Sequence, residues 1–263
     1  MVRAAIIGVS GRMGLALVRA ASESRDISIA SAVASPQSAA LAKDAGELAG
    51  VGRLGVHVTS DLAAALAQAD VAIDFSNGAA TQTNLAACLE ARKPLLVGTT
   101  GYPADTDFDA AAKDIPILVA PNTSLGVTLL IELVRQAAAA LPEQFDIEII
   151  EAHHWMKKDA PSGTALALGK AAAEGRNQPL EPSRRDGAPR QGSEIGFAVV
   201  RGGDLVGEHS VLFAGIGECL TLSHRATDRA LFARGALQAA AWLQARAAGR
   251  YFMRDLFTTK SGS

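Results

Sequence analysis

Cysteine is scarce in this chain: among 263 residues only Cys88 and Cys219 occur. Two thiols cannot form a disulfide framework, and their positions have no metal-ligand spacing. A reducing compartment is the simple reading, with both residues expected as small core side chains. An excess of one charge is missing too. The net charge of -2 gives no general attraction to nucleic acid or to an anionic membrane, so any anionic ligand must be held by a local cluster. No apolar run approaches the roughly 18 residues that a membrane span needs. The N-terminus, MVRAAIIGVSGRMG, has neither the apolar h-region nor the small-residue cleavage site of a signal peptide. A cytoplasmic protein with no nucleic-acid and no membrane partner is expected. Apolar residues are abundant, at 49% against 20% charged, which is a globular rather than a disordered composition. At this length two modest domains can each close a core.

Residues 4–9 form a continuous apolar run ending in glycine, followed by a helical pattern from Arg12 to about Ser22. This is how the first strand and helix of a βαβ unit read. Further strands are predicted at 27–33, 71–75, 95–97 and 117–119, separated by Ala-rich helical stretches such as 79–91. Strand and helix alternate, so residues 1–120 predict an α/β, doubly wound parallel sheet of Rossmann type. After Asn122 the pattern changes to a helix at 125–141, a strand at 145–153 and a helix at 164–173. A loop rich in Pro, Arg and Gly follows at about 175–193, read as a mobile surface segment or a lid. Strands are predicted at 195–201, 209–214 and 219–224, the last two pairing antiparallel about a short glycine-containing turn. A final helix, 229–247, is expected to pack back on the first domain.

GVSGRMG, Gly8 to Gly14, closes the first strand and opens the first helix. Glycines there permit a tight turn and close backbone approach, while the helix start offers amides and partial positive charge to a pyrophosphate. Two more polar loops, GTTG at 98–101 and APNTS at 120–124, fall where strands of the same sheet should end. Ligands of open α/β sheets sit beyond the carboxyl ends of the strands, so the three loops together favour a nucleotide.

The densest chemistry lies in EAHHWMKKDAPSGTA, Glu151 to Ala165. Strand alternation puts Phe145, Ile147, Ile149, Glu151 and His153 on one face and His154 on the other. The two histidines therefore cannot act identically. A metal is not expected, because Lys157 and Lys158 would repel a cation and no third ligand is obvious. Ser162 reads as the N-cap of a helix whose first amides, at Gly163 and Thr164, suit a carboxylate or phosphate. Cations, an anion-binding helix start and titratable imidazoles are what a reaction on a small acidic substrate requires.

This packet resembles the signature of the 4-hydroxy-tetrahydrodipicolinate reductase (dihydrodipicolinate reductase) family of the lysine and diaminopimelate pathway. GVSGRMG, DFSNGAAT, VGTTG, APNTSLGV, GFAVVRGGDLVGEHSVLFAGIGE and LTLSHRA are similar to that family in the same order, over nearly the whole chain. The resemblance implies a dinucleotide-binding domain at 1–124 completed by 228–263. It also implies a substrate-binding and oligomerisation domain of α+β type with a mixed sheet at 125–227, and assembly as a homotetramer. It implies His153 as the catalytic histidine and Lys157 as the proton-donating lysine. His154, Gly163 and Thr164 would bind a small cyclic dicarboxylate substrate. Gly8, Val9, Ser10, Gly11, Arg12, Met13, Gly98, Thr99, Thr100, Ala120, Pro121, Asn122 and Thr123 would bind NADPH or NADH. The reaction implied is reduction with loss of a hydroxyl as water.

The chain departs from the family pattern at the end of the second strand, where Ala34 and Ser35 replace the usual acidic residue. A carboxylate there would bind the ribose 2′-hydroxyl and repel a 2′-phosphate. Its absence predicts a modest preference for NADPH, with Arg12 and the Ser35 hydroxyl as candidate phosphate contacts. His57 is expected at the surface, Trp155 and Met156 as packing residues, His209 and His224 as structural, and Arg184, Arg185 and Arg190 as solvated. The rival readings are another two-domain Rossmann dehydrogenase of an amino or keto acid and a non-catalytic nucleotide-binding redox sensor.

Overall fold

A computed structural model describes residues 1–180, 189–190 and 192–258. The chain divides into two compact units, one built from Met1–Ser124 with the chain from Ala230 onward, the other from Leu125–Arg229. In the first unit the order is β1 (Val2–Ile7), α1 (Arg12–Ser22), β2 (Ile27–Val33), α2 (Ala45–Ala49), β3 (Val58–Thr59), α3 (Leu62–Ala67), β4 (Val71–Asp74), α4 (Thr81–Glu90), β5 (Leu95–Val97), α5 (Phe108–Ala111) and β6 (Pro116–Val119). The second unit contributes α6 (Leu125–Ala140), β7 (Asp146–His153), α7 (Gly163–Arg176), β8 (Ile195–Arg201), β9 (Gly207–Ala214) and β10 (Cys219–Ala226). The chain then returns to the first unit with α8 (Ala230–Leu243), β11 (Gly249–Tyr251) and α9 (Asp255–Thr258).

The first unit's seven-stranded sheet has the order β11-β6-β5-β4-β1-β2-β3, with every pairing parallel. Its central strands are short and largely buried: Ala4 to Ile7, Val71 to Asp74 and Leu95 to Val97 are all buried. A parallel sheet covered by helices on both faces requires continuous rather than alternating apolar runs. The loops after β6, β5, β4 and β1 consequently lie in one row at the carboxyl edge. Helix α8 packs on α1, β4 and β5 as expected, but it ends at Leu243, and the chain beyond adds β11 to the sheet. β3 and β11 were not foreseen; at two and three residues neither carries a readable alternation.

The second unit's four-stranded sheet, in the order β10-β9-β7-β8, is mixed. β7 pairs parallel with β8 and antiparallel with β9, which pairs antiparallel with β10 as its turn predicted. Ile147, Ile149, Phe197, Val211 and Phe213 on one face pack on Leu130 and Val134 of α6 and Leu168 and Ala172 of α7. Each large side chain buried this way contributes about 1.5–3 kcal/mol before entropy is charged against it. Helix α7 begins one residue earlier than predicted. Ser162 caps it through Oγ, which accepts the Ala165 amide at 3.2 Å, and Asn177 in the left-handed region ends it.

Several expectations need correction. Cys88 is buried, and burial pushes its thiol up to about 12, but Cys219 is exposed at the start of the edge strand β10. Trp155 and Met156 are not packing residues: they are 70% and 65% exposed in the turn that follows β7. Arg190 is not solvated. It pairs with Asp146 at 2.7 Å and Glu148 at 2.6 Å on β7. Arg184 and Arg185, with the rest of 181–188 and residue 191 of the predicted loop, lie outside the described residues. His57 is exposed, as expected.

Candidate functional site

In the first unit a cavity of ≈ 480 Å³ opens between the loops that follow β1, β2 and β4. Gly8, Ser10 and Gly11 line one side, Ala34 and Ser35 a second, and Ser76, Asn77 and Asn84 a third. The glycines are needed for close approach. A Cβ on Gly8 would sit 2.6 Å from the Phe75 carbonyl oxygen, and one on Gly14 2.4 Å from the Gly8 oxygen. Gly11 is the N-cap of α1 and places no side chain over its first amides, so the helix start is open to an anion. Buried Asp74, unassigned from the sequence, ties the neighbouring loops together. It accepts the Ser76 amide at 2.8 Å, Asn84 Nδ2 at 2.9 Å and Thr99 Oγ1 at 3.1 Å. Thr99 is thus committed to the fold. Thr123 likewise donates to the Phe232 carbonyl at 2.7 Å. Of the residues expected to hold a cofactor, Gly8, Ser10, Gly11 and Ser35 line the cavity. Val9, Gly98, Thr99, Thr100 and Ala120 to Thr123 lie in the same row of loops, and Arg12 and Met13 open α1, none of them lining the cavity. The cradle and the open helix start fit a dinucleotide.

In the second unit the predicted alternation of β7 buries Glu151 and His153 together, while His154, expected on the strand's other face, is half-buried just past the strand's end. His153 Nδ1 bonds Glu151 Oε2. Both Glu151 oxygens accept from Arg201, Oε2 at 2.9 Å and Oε1 at 2.8 Å, and Oε1 also accepts the Ser162 amide at 3.0 Å. Arg201 goes on to donate to the Lys157 and Asp159 carbonyls at 3.3 and 2.6 Å. Lys157 Nζ lies 2.8 Å from Asp159 Oδ1 with its side chain 22% exposed, whereas Lys158 is exposed. His209 stands edge-on to His153, ring centres 5.0 Å apart, and its Nε2 lies 3.1 Å from Ser162 Oγ. Gly163 is exposed and Thr164 half-buried at the start of α7.

The electrostatics follow from this packing. Burial alone would raise the Glu151 carboxyl, but hydrogen bonds from Arg201, His153 and the Ser162 amide outweigh it and hold the group below its ordinary range. Burial lowers the His153 pKa; Glu151 opposes the shift without cancelling it, and Lys157 and Arg201 reinforce it. His153 is therefore neutral near pH 7. Glu151, His153 and His209 bring their ligand atoms within 4.8 Å of one another, a third group that the sequence did not reveal. The carboxylate is already saturated by a guanidinium and an amide, which suits proton handling better than a cation.

The sequence profile of Dihydrodipicolinate reductase, N-terminus, matches residues 2–123, and that of Dihydrodipicolinate reductase, C-terminus, matches 126–257. The chain belongs to the dihydrodipicolinate reductase family. It is 50% identical over 264 residues to the 4-hydroxy-tetrahydrodipicolinate reductase of Allorhizobium ampelinum, covering 97% of this chain and 98% of that one. With the enzyme of the same name from Chromohalobacter salexigens it shares 45% identity, covering 99% and 100%. The fold is also that of the dipicolinate-bound dihydrodipicolinate reductase from Paenisporosarcina sp. TG-14, with a TM-score of 0.78 at 24% identity over 96% and 97% of the chains.

In this dihydrodipicolinate reductase the sequence left Arg201, His209 and Ser162 unassigned to the site. The strand register brings in the first two, since β7 pairs Glu151 with His209 on β9 and His153 with Arg201 on β8, while Ser162 arrives as the N-cap of α7, its amide donating to Glu151. His209, expected to be structural, is 4% exposed against His153, and burial first, then the neighbouring His153, pushes its pKa down to about 4. Between pH 4 and 6.5 the unfolded chain binds a proton that the folded one refuses. Stability from this group is therefore complete above the unfolded pKa and is lost as pH falls through that window. From pH 7 to pH 5 the loss should be about 2 kcal/mol. Urea unfolding at the two pH values should show a smaller difference for His209→Gln than for the wild type; equal slopes would remove His209 as the source.

Proposed function

We propose that this chain reduces 4-hydroxy-tetrahydrodipicolinate to tetrahydrodipicolinate with NAD(P)H, releasing water, in lysine and diaminopimelate biosynthesis. The observation that carries the reading is the Glu151–His153 pair set beside Lys157 at the end of β7, in a chain of this family. A bound nicotinamide supplies the hydride. Loss of water removes a ring proton along with the hydroxyl, and the reduction then adds a proton with the hydride, so the site needs one group that accepts and one that donates. His153, neutral near pH 7, accepts the ring proton at Nε2 and passes it to the departing hydroxyl. Lys157 donates the second proton and attracts a substrate carboxylate. The start of α7, at Gly163 and Thr164, holds a carboxylate, with His154 a further substrate contact. NADPH oxidation on addition of freshly generated 4-hydroxy-tetrahydrodipicolinate tests the reading. Oxidation driven instead by an amino or keto acid would overturn it, and cofactor binding without turnover would favour the redox-sensor alternative.

The cofactor segments are read as Gly8 to Met13, Gly98 to Thr100, Ala120 to Thr123 and Ser35. Asp74 keeps the loops in register. Ser35 is exposed on the cavity wall and no carboxylate stands beside it in the lining, which favours a 2′-phosphate over repelling it. A charge-assisted hydrogen bond from Arg12 contributes about 1.5–3 kcal/mol, moderated where the pyrophosphate shares the guanidinium. The expected preference for NADPH is on the order of tenfold in kcat/KM, with NADH accepted. Arg12→Ala should lose more with NADPH than with NADH. Equal losses, or a wild-type preference for NADH, would place discrimination elsewhere. The proposal extends to a homotetrameric, cytoplasmic enzyme. Ile150 and Val200, 41% and 48% exposed on the outward side of the mixed sheet, supply apolar surface for assembly. Among the described residues no helix is long and apolar enough to cross a membrane.

A further inference from the structure

We propose that Glu151 is a positioning residue of the reduction: held by Arg201 and the Ser162 amide, its carboxylate takes the Nδ1–H of His153 and so commits Nε2 to the substrate. The inference rests on the reading of His153 as the proton-transfer group. Four donors converge on this one carboxylate. Arg201 supplies two, at 2.9 and 2.8 Å, the Ser162 amide one at 3.0 Å, and His153 Nδ1 the fourth. A carboxylate with both oxygens accepting satisfies all four, and a ring nitrogen facing such an acceptor must carry its hydrogen. The neutral ring is then fixed as the Nδ1–H tautomer, with the lone pair on Nε2. Room for a reacting group beside Nε2 comes from Gly207, where a Cβ would lie 3.0 Å from that nitrogen. The same carboxylate connects the rest of the packet. Through Ser162 it fixes the start of α7, and through Arg201, which also holds the Lys157 and Asp159 carbonyls, it fixes the backbone that carries the lysine. Proton acceptor, proton donor and anion-binding helix start therefore share one buried anchor, drawn from β7, β8 and the 157–162 segment.

Glu151→Gln keeps the side chain's size but replaces one acceptor by an amide NH₂. With Arg201 donating to both positions, one donor must now face another, and the amide that turns its NH₂ to His153 selects the opposite tautomer. The change should lower kcat on the order of 10- to 100-fold, by analogy with the loss of a carboxylate that orients a metal-bound histidine, and leave the KM for NADPH within about twofold. The decisive readout is ¹⁵N NMR of histidine-labelled protein at a pH where the ring is neutral, with the His153 signals assigned by their absence in His153→Ala. In the wild type Nδ1 should be pyrrole-type and Nε2 pyridine-type, and in Glu151→Gln that pattern should reverse or average. A wild-type ring protonated on Nε2 would overturn the inference even if Glu151→Gln fails to fold. So would a variant that loses turnover with an unchanged tautomer, because the loss would then be structural. The tautomer of the wild-type ring is read without turnover, so the reading of His153 stands or falls by a separate measurement, the kinetics of His153→Ala.

Discussion

His153→Ala is expected to lower kcat by on the order of 100-fold or more while the Kd for NADPH stays near its wild-type value. The split follows from where the residue sits. His153 closes β7 in the second unit, buried and bonded to Glu151, whereas the cradle that fits the cofactor is built from loops of the first unit's sheet. Removing the imidazole takes away the proposed proton acceptor without touching that cradle. It also leaves Glu151 facing Arg201 and the Ser162 amide alone, so the carboxylate remains compensated and the variant should fold. Steady-state kinetics and cofactor titration of the same preparation check this. Wild-type turnover would remove the assignment, and a parallel loss of cofactor affinity would mean that the variant's fold had changed.

Lys157→Ala should lose on the order of 1,000-fold in kcat/KM, because one group is asked to do two things. A charge-assisted hydrogen bond to a substrate carboxylate is worth roughly 1.5–3 kcal/mol, and general-acid catalysis contributes about 100-fold or more. Lys158→Ala should change the same ratio by no more than about threefold, as expected for an exposed side chain. The structure separates the neighbours physically. Lys157 is half-buried and held at 2.8 Å by Asp159, on backbone that Arg201 pins, whereas Lys158 projects into solvent. Lys157→Arg adds a finer test: a guanidinium keeps the charge but does not give up a proton, so substrate KM should recover while kcat stays low. Equal effects of alanine at the two lysines would show that neither is directed into the site.

The parts legible in the sequence are those governed by local pattern. Continuous apolar runs alternating with Ala-rich helical stretches announced the parallel sheet, and period-two alternation along β7 placed Glu151 and His153 on one buried face. The capping chemistry of Ser162 marked the start of α7 to within one residue. What could not be read depends on contacts distant in sequence. His209 joins the site only because β9 pairs with β7 in a register that sets it opposite Glu151, and Arg201 only because β8 sets it opposite His153. Side-chain type carries no register. Trp155 and Met156 show the reverse error: large apolar side chains were expected to pack, yet they stand in the turn where the chain leaves the sheet. Arg190 was read as solvated because its loop is basic, but its partners Asp146 and Glu148 lie on a strand more than forty residues earlier in the chain. The proposed cofactor loops were visible as polar strand ends, two of them glycine-containing. Asp74, which ties the loop after β5 to its own loop and to α4, was not, since a buried aspartate ending an apolar strand has no distinctive spacing.

The most direct measurement of the proposed activity is the mass of the product formed from 4-hydroxy-tetrahydrodipicolinate with NADPH carrying deuterium at both hydrogens of nicotinamide C4. Replacement of the hydroxyl by hydride should leave one deuterium in each tetrahydrodipicolinate molecule, with one NADPH oxidised per product. Product without deuterium, or NADPH left unoxidised in the presence of this substrate, would contradict it.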